Sequence, residues 1–253
     1  MSLILDRPLL LFIVSILVQW AAAYVGDLLR KRGRAPSSDE RDDFNTIQTA
    51  TLTLLALIIG FSFSMAVSRY DQRKNYEEAE ANAIGTEYVR ADLLPTDIAS
   101  RVRELLRKYV DQRIAFYETR DELILSRVDV ETAKLQAELW SAILPVAKSE
   151  PTPVTALAIS GMNDVLNSQG YTQAAWWNRI PVAAWVLMVL IAISCNMLIG
   201  YSERRKGSRL LAILPVVLST SFFLIADIDS PRLGVIHVLP HNLIALADSI
   251  KPH

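Results

Sequence analysis

Apolar residues along this chain are concentrated in four runs, and charged residues are concentrated between them. The runs cover about residues 9–29, 46–68, 180–201 and 210–226. A helix needs roughly 20 mostly apolar residues to cross a bilayer. The pattern therefore predicts an all-α, multi-pass membrane protein with four transmembrane helices.

A long polar segment, residues 69–178, separates the second run from the third. Its apolar residues recur at helical spacing and never alternate as in a strand, so it is predicted to be a helical extramembrane domain. No breaker follows Ser68 before Pro95, so the second membrane helix is expected to extend out of the bilayer. The predicted divisions are residues 1–68 with the basic loop 30–45, the domain 69–178, and residues 179–253 with the last two membrane helices and a C-terminal tail.

Three further helices are predicted inside the polar segment. The first follows Pro95 and repeats apolar residues on one face, which is typical of a packed helix. These residues are Ile98, Val102, Leu105, Leu106, Tyr109, Val110, Ile114 and Tyr117. The next two are expected at about 129–144, ended by Pro145, and at about 154–166. Trp176 and Trp177 precede the third membrane run and suit an interfacial aromatic belt.

The second membrane run has a narrow face of hydroxyl and small side chains. At 100° per residue, this face contains Thr46, Thr49, Thr53, Leu57, Gly60, Ser64 and Ser68. One interpretation is close packing against another helix, because small residues let helices approach. The other is a pore lining, because hydroxyl groups can face water inside a membrane protein. The sequence leaves both open.

Other polar residues near the membrane runs have simpler interpretations. Gln19 and Asn196 are expected to bond to neighbouring helices. Asp42 and Asp43 are expected to cap the second membrane helix. Asp227, Asp229 and Pro231 follow the fourth run and predict a turn, in which Asp229 binds backbone amides. His237 and His241 lie nearby, but a turn is favoured over a metal site, so no metal is predicted.

Composition excludes several functional classes. The 253 residues carry a net charge of −1, which gives no electrostatic basis for nucleic-acid binding. The polar segment has no histidine, cysteine, phosphate-binding loop or nucleophile–base set, so neither an enzyme nor a cofactor is predicted. Its acidic residues are interpreted as a solvated surface. In particular, Glu77, Glu78 and Glu80 are expected to form exposed pairs with Arg73 and Lys74.

Two groups of motifs resemble a known family. Gly60-Phe61, Val67-Ser68-Arg69-Tyr70 and Asn75 resemble the second membrane helix of bestrophins. The segment Asp227-Ile228-Asp229-Ser230-Pro231 with Gly234 is similar to the acidic segment after their last membrane helix. Residues 60–95, 160–164 and 226–231 more closely resemble uncharacterised bacterial membrane proteins described as bestrophin-like.

The resemblance implies a homopentameric anion (chloride) channel in which the second helix of each subunit lines one axial pore. The implied hydrophobic neck is formed by Thr53, Leu57 and Phe61. Thr53 is less apolar than the family pattern, and the dense acidic run of the animal calcium clasp is missing, so calcium gating is not expected. The alternative is a membrane-anchored helical scaffold or sensor without channel activity.

Two signals disagree about orientation in the bacterial inner membrane. The short loops 30–45 and 203–209 are basic, and the positive-inside rule therefore places them in the cytoplasm. The termini and the helical domain would then be extracytoplasmic. The bestrophin resemblance implies the opposite side, with the termini and the domain in the cytosol.

Overall fold

The structure is a computed structural model that describes residues 7–32, 38–149, 151–202 and 213–251. Within these ranges the chain contains helices and no strand, which confirms the all-α prediction. A short 3₁₀ helix, Ala91–Leu93, lies between the second and third α-helices. The α-helices are α1 Pro8–Arg32, α2 Ser38–Arg90, α3 Thr96–Glu118, α4 Glu122–Ser149, α5 Pro153–Trp177, α6 Val182–Ser202, α7 Ile213–Asp229 and α8 His241–Ser249.

Helix α2 is longer than the predicted membrane run in both directions. It begins at Ser38, so Asp42 and Asp43 lie inside it and do not cap it, and the predicted loop 30–45 is partly helical. Towards its other end α2 continues without a break to Arg90, which confirms that the helix extends far beyond Ser68. Residues 69–90 contain good helix formers and no proline, and this composition accounts for the continuation.

Three predicted helix bounds in the polar segment are wrong. Helix α4 begins at Glu122, seven residues before the predicted start at about 129. Helix α4 passes through Pro145 and ends at Ser149, because a proline near a helix end removes only one backbone hydrogen bond. Helix α5 extends to Trp177, eleven residues beyond the predicted 166. Trp176 is consequently buried beside Phe116 and Tyr117, with ring centroids 4.9 and 5.4 Å away, and only Trp177 remains exposed.

Three helical stretches of the described chain are long and apolar enough to cross a membrane: Pro8–Arg32, Asp42–Leu93 and Pro153–Ser202. In the most apolar windows of the first two, only 22% and 17% of the residues are buried. Lipid or another copy of the chain must therefore cover these surfaces. The described part of the fourth run lies in α7, a helix of 17 residues, and four membrane helices remain a prediction. The basic loop 203–209 lies outside the described residues.

The chain forms two compact units. The first comprises residues up to Arg69 and from Arg179 to His237, and the second comprises Tyr70 to Asn178 and Val238 onward. Helix α2 contributes to both. The C-terminal residues from Val238, including α8, thus belong with the polar segment, whereas the sequence grouped them with the last two membrane helices. The predicted membrane and extramembrane boundaries remain predictions.

Helices α1 and α6 of the first unit cross closely at two glycines. A Cβ atom at Gly26 would collide with Met197 O, and one at Gly200 would collide with Ala23 O. Gln19 of α1 donates to Ser15 Oγ and Ser219 Oγ at 2.7 and 3.0 Å, and it accepts from Asn196 Nδ2 at 3.1 Å. The predicted interhelical roles of Gln19 and Asn196 are confirmed.

The second unit has a conventional apolar core around α3. The face predicted for this helix is the buried one, including Val102, Leu106 and Val110, each 0% exposed. Helices α2, α4, α5 and α8 contribute Ile84, Leu139, Met162 and Leu243 to the same cluster.

Candidate functional site

The face of α2 that the sequence singled out is exposed along its whole length in the first unit. Phe61 is 64% exposed and Leu57 is 53% exposed. The other members are exposed as well: Thr46, Thr49, Thr53, Gly60, Ser64 and Ser68. The buried residues of this stretch, Leu55, Ser62 and Ala66, lie about half a turn away on the opposite face. We call the eight exposed residues the α2 stripe.

The threonine hydroxyls of the stripe are satisfied by their own helix. Thr46, Thr49 and Thr53 each donate to the carbonyl oxygen four residues earlier, at 2.8 Å in every case. Such bonds supply the hydroxyl proton with a partner and leave oxygen lone pairs at the surface. These three hydroxyl groups therefore need no acceptor from another helix, and their oxygens can still accept hydrogen bonds.

Packing within the chain does not account for the glycine of the stripe, Gly60. A Cβ atom at Gly60 would meet nothing within 4 Å in the described structure. Gly26 and Gly200, in contrast, have no space for a side chain. The α2 stripe is thus available to lipid, water or a second copy of the chain.

The two acidic residues at the end of α7 have separate roles. Asp227 accepts from the backbone amides of Val235 and Ile236, at 2.7 and 2.9 Å, and so closes the turn that contains Pro231. Asp229 accepts from the amide of Ile180 at 3.2 Å. The predicted amide-binding role in the turn therefore belongs to Asp227, because the side chain of Asp229, two residues further along the helix, points elsewhere.

Asp229 also joins two motifs that are distant in sequence. Arg179 Nε lies 3.2 Å and Arg69 Nη1 lies 3.6 Å from its carboxylate. Asp229 is buried, so these cations and the amide of Ile180 stabilise its negative charge. No group of three or more potential metal-ligating side chains occurs among the residues that the structure describes.

The interpretation of the acidic residues after Ser68 as solvated is wrong for three of them. Glu77, Glu80 and Glu87 are buried in the second unit, as is Arg73. Glu80 pairs with Arg113 of α3 through Nε at 2.5 Å. Its second oxygen accepts from Tyr117 Oη at 3.4 Å and Thr172 Oγ1 at 3.1 Å.

The buried charge of Arg113 is stabilised by its neighbours. Burial lowers the pKa of Arg113, but the adjacent Glu80 raises it, and the pKa is above its ordinary value overall. The guanidinium also lies 4.4 Å from the ring centroid of Phe116, which is a favourable cation–π distance. The pair thus links α2 to α3 inside the unit.

Glu77 holds the C-terminal helix in the second unit. One carboxylate oxygen accepts from the amides of Asn242 and Leu243, at 2.9 and 3.0 Å, and the other accepts from Asn242 Nδ2 at 2.6 Å. A carboxylate at the amino end of a helix satisfies free amides and matches the positive end of the helix dipole. Helix α8 is therefore fixed by a residue more than 160 positions earlier.

A signal for these buried charges was present in the sequence. Arg73, Glu77, Glu80, Ile84 and Glu87 recur every three or four residues and share one helical face. That face is opposite the exposed Asn75, Glu78 and Asn82. Ile84 lies in the centre of this face, which indicates that the face is buried. The prediction of exposed side chains was based on composition alone, and it therefore placed all the charged residues in solvent.

Comparisons with known proteins give a consistent result. The sequence profile described as Bestrophin-like domain matches residues 14–243. A crystal structure of a bacterial bestrophin homologue from Klebsiella pneumoniae, obtained by Zn-SAD phasing, is 15% identical, with a TM-score of 0.63 over 96% of this chain and 95% of that one. One single-substitution variant of the Klebsiella homologue is 15% identical, with a TM-score of 0.63 over 95% of this chain and 94% of that one. A second variant is 14% identical, with a TM-score of 0.65 over 96% of this chain and 93% of that one. No curated protein matches the sequence.

Proposed function

Because this chain is a membrane protein that belongs to the bestrophin-like family, we propose that its copies assemble in a ring and form an ion channel. The α2 stripe of each copy lines the pathway, and the conducted ions are anions such as chloride. The observation that carries the proposal is the exposure of all eight stripe residues, including Leu57 and Phe61.

A ring is needed because one copy of α2 cannot enclose a pathway. Cyclic symmetry places the same face of each copy towards a common axis. The stripe then supplies repeated rings of identical side chains, and five copies would reproduce the arrangement that the family resemblance implies. The uncovered Gly60 and the self-satisfied threonines fit such a surface, since neither needs a partner from its own chain.

The proposed neck is formed by Thr53, Leu57 and Phe61, at four-residue spacing along one side of α2. Rings of Leu57 and Phe61 would form an apolar constriction that closes by losing its water. Phenylalanine can turn the positive edge of its ring towards an anion. Hydroxyl groups at Thr49 and Ser64, on either side of the constriction, would partly replace the hydration shell of the ion.

Four membrane helices, with the helical segment 69–178 outside the bilayer in the bacterial inner membrane, complete the proposal. The side of the membrane on which the helical segment lies is an outcome to be measured. Labelling of a single cysteine introduced at the exposed Glu78, in intact cells and in inverted vesicles, distinguishes the two orientations.

The decisive experiment is chloride efflux from liposomes that contain the purified full-length protein. We expect Phe61→Ala and Leu57→Ala each to increase the efflux several-fold, because truncation widens and hydrates the neck. Phe63→Ala is the matched control, since Phe63 is an exposed phenylalanine on the same helix but on a different face. This control should leave the efflux of the wild type unchanged.

A second measurement tests the symmetric arrangement of α2. Thr53→Cys should give oxidative cross-links between copies, whereas the wild-type cysteine, Cys195, is buried and should not. An absence of efflux from the wild type and both neck variants, together with a monomer that does not cross-link, would contradict the channel. The helical scaffold or sensor would then be the better description.

A further inference from the structure

Glu87 differs from the other buried acids of α2 in its surroundings. Its side chain is 0% exposed. Neither carboxylate oxygen accepts a hydrogen bond from any residue that the structure describes. Glu77 and Glu80, only ten and seven positions earlier on the same helix, each have several donors. The described part of the second unit therefore supplies hydrogen-bond donors to the carboxylates of Glu77 and Glu80 and none to that of Glu87.

The carboxyl group of Glu87 is held against α5 at a glycine. A Cβ atom at Gly161 would collide with Glu87 Oε2, and it would lie 2.5 Å from Arg90 Nη1. Any side chain at position 161 would displace one of the two groups. The absence of a side chain at Gly161 thus creates the space in which the acid and the guanidinium approach the same point of α5.

The charge balance around Glu87 favours a bound proton. Burial raises the pKa of Glu87 to about 8. Arg90, on its own helix, lowers the pKa, and Asp164 of α5 raises it. These two are the charged groups that act on Glu87, from the two helices that meet there. Their opposite effects leave burial as the dominant cause.

We propose that Glu87 is a reversible proton-binding site, in which the neutral acid packs α2 against α5 at Gly161 and alkaline pH replaces this contact by an ionised carboxylate drawn to Arg90. The proton leaves to solvent when the carboxylate forms, and it returns from solvent when the neutral acid forms. This inference does not depend on the proposed channel, because it concerns two helices of the second unit.

The direct test is infrared difference spectroscopy of the full-length protein in liposomes between about pH 6 and pH 10. The wild type should lose the carbonyl stretching band of a protonated carboxylic acid, with a midpoint near pH 8. Glu87→Gln should lack this band change. Glu78→Gln is the matched control, since Glu78 is an exposed glutamate on the same helix, and it should behave as the wild type.

Two further variants keep the test informative if Glu87→Gln does not fold. Arg90→Gln removes the charge that lowers the pKa of Glu87, so the midpoint should move to higher pH. Asp164→Asn removes the charge that raises it, so the midpoint should move to lower pH. A purely structural role for Glu87 would give neither shift. A band change absent from the wild type, or unaffected by all three substitutions, would overturn the proposal.

Thermal unfolding gives an independent check on the direction in which pH changes the stability of the folded protein. An unfolded glutamate has a pKa of 4.5, whereas the folded Glu87 has one of about 8. Between these values the folded protein holds a proton that the unfolded chain has released, so stability falls as pH rises through this window. The Tm of the wild type should therefore fall relative to that of Glu87→Gln from about pH 5 to pH 8, and the difference should be constant above. Parallel curves would contradict the proposal.

Discussion

Two buried polar clusters, one in each unit of this protein, differ in their chemistry. In the first unit, Gln19, Asn196 and Ser219 form a neutral hydrogen-bonded cluster between apolar helices. In the second, Glu80 and Arg113 form a buried ion pair that Tyr117 and Thr172 support. Both clusters link helices that are distant in sequence.

The chemistry of each cluster decides how much stability is lost when one member is removed. Hydrogen bonds between the neutral amides and hydroxyls of apolar helices contribute roughly 0.6 kcal/mol each on average. A helical unit with a polar surface can retain a buried ion pair, but the loss of one partner leaves an isolated charge and costs about 3–5 kcal/mol. The neutral cluster should therefore tolerate polar deletions better than the ion pair does.

The largest expected effect is that of Glu80→Ala. The substitution leaves the guanidinium of Arg113 buried without its carboxylate, so the second unit should lose about 3–5 kcal/mol of unfolding free energy. Denaturant unfolding in detergent micelles, followed by tryptophan fluorescence and by circular dichroism, measures this loss. Glu78→Ala, at an exposed position of the same helix, should cost less than about 1 kcal/mol.

A double substitution sharpens this prediction. Glu80→Met with Arg113→Met removes both charges and should recover much of the stability that Glu80→Ala loses, because an apolar pair of similar volume needs no compensation. If Glu80→Ala and Glu78→Ala destabilise the protein equally, the buried pair does not set the stability of the second unit.

The next largest effect is expected where α1 crosses α6. Gly200→Ala places a methyl group against the carbonyl oxygen of Ala23, and the backbone shift that follows should cost about 1–3 kcal/mol. Gly170→Ala is the control, since a Cβ atom there meets nothing within 4 Å and alanine favours a helix. Thermal stability in micelles should fall for the first variant and rise slightly for the second. The opposite order would rule out the close crossing.

The smallest effect is expected for the neutral cluster. Gln19→Leu removes its bonds to Ser219 and Asn196, yet Asn196 retains its bond to the carbonyl oxygen of Ala192. A double-mutant cycle of Gln19→Leu and Asn196→Leu should give a coupling energy of about 0.6 kcal/mol, and no more than about 1.7 kcal/mol. A coupling as large as the cost of Glu80→Ala would remove the contrast between the two clusters.

The periodicity of the sequence was sufficient to predict much of the fold. It predicted the all-α class, the core face of α3 and the interhelical roles of Gln19 and Asn196. It also selected a face of α2 that is indeed uncovered. These features depend on the 3.6-residue repeat and on the cost of leaving polar groups unpaired among apolar residues, both of which are local properties of the chain.

Helix ends were less predictable, for a reason visible at Pro145. A proline inside a helical pattern usually kinks or ends the helix. The packed residues Ile143 and Val146, on either side of Pro145, keep α4 continuous. The length of α5 was underestimated similarly, because Ser168, Gly170 and Thr172 are weak helix formers. Burial of Ser168 and Thr172, with the bond from Thr172 to Glu80, outweighs that weak preference.

The sequence by itself determined where helices form and which of their faces are apolar, because both depend on residues within a few turns of one another. Only the tertiary structure decided which groups compensate the buried charges. Glu80 meets Thr172 across 92 positions, Glu77 meets Asn242 across 165, and Arg69 reaches Asp229 only when α2 and the end of α7 meet. A carboxylate that is costly to bury alone becomes stable when distant donors converge on it, and no local pattern records that convergence.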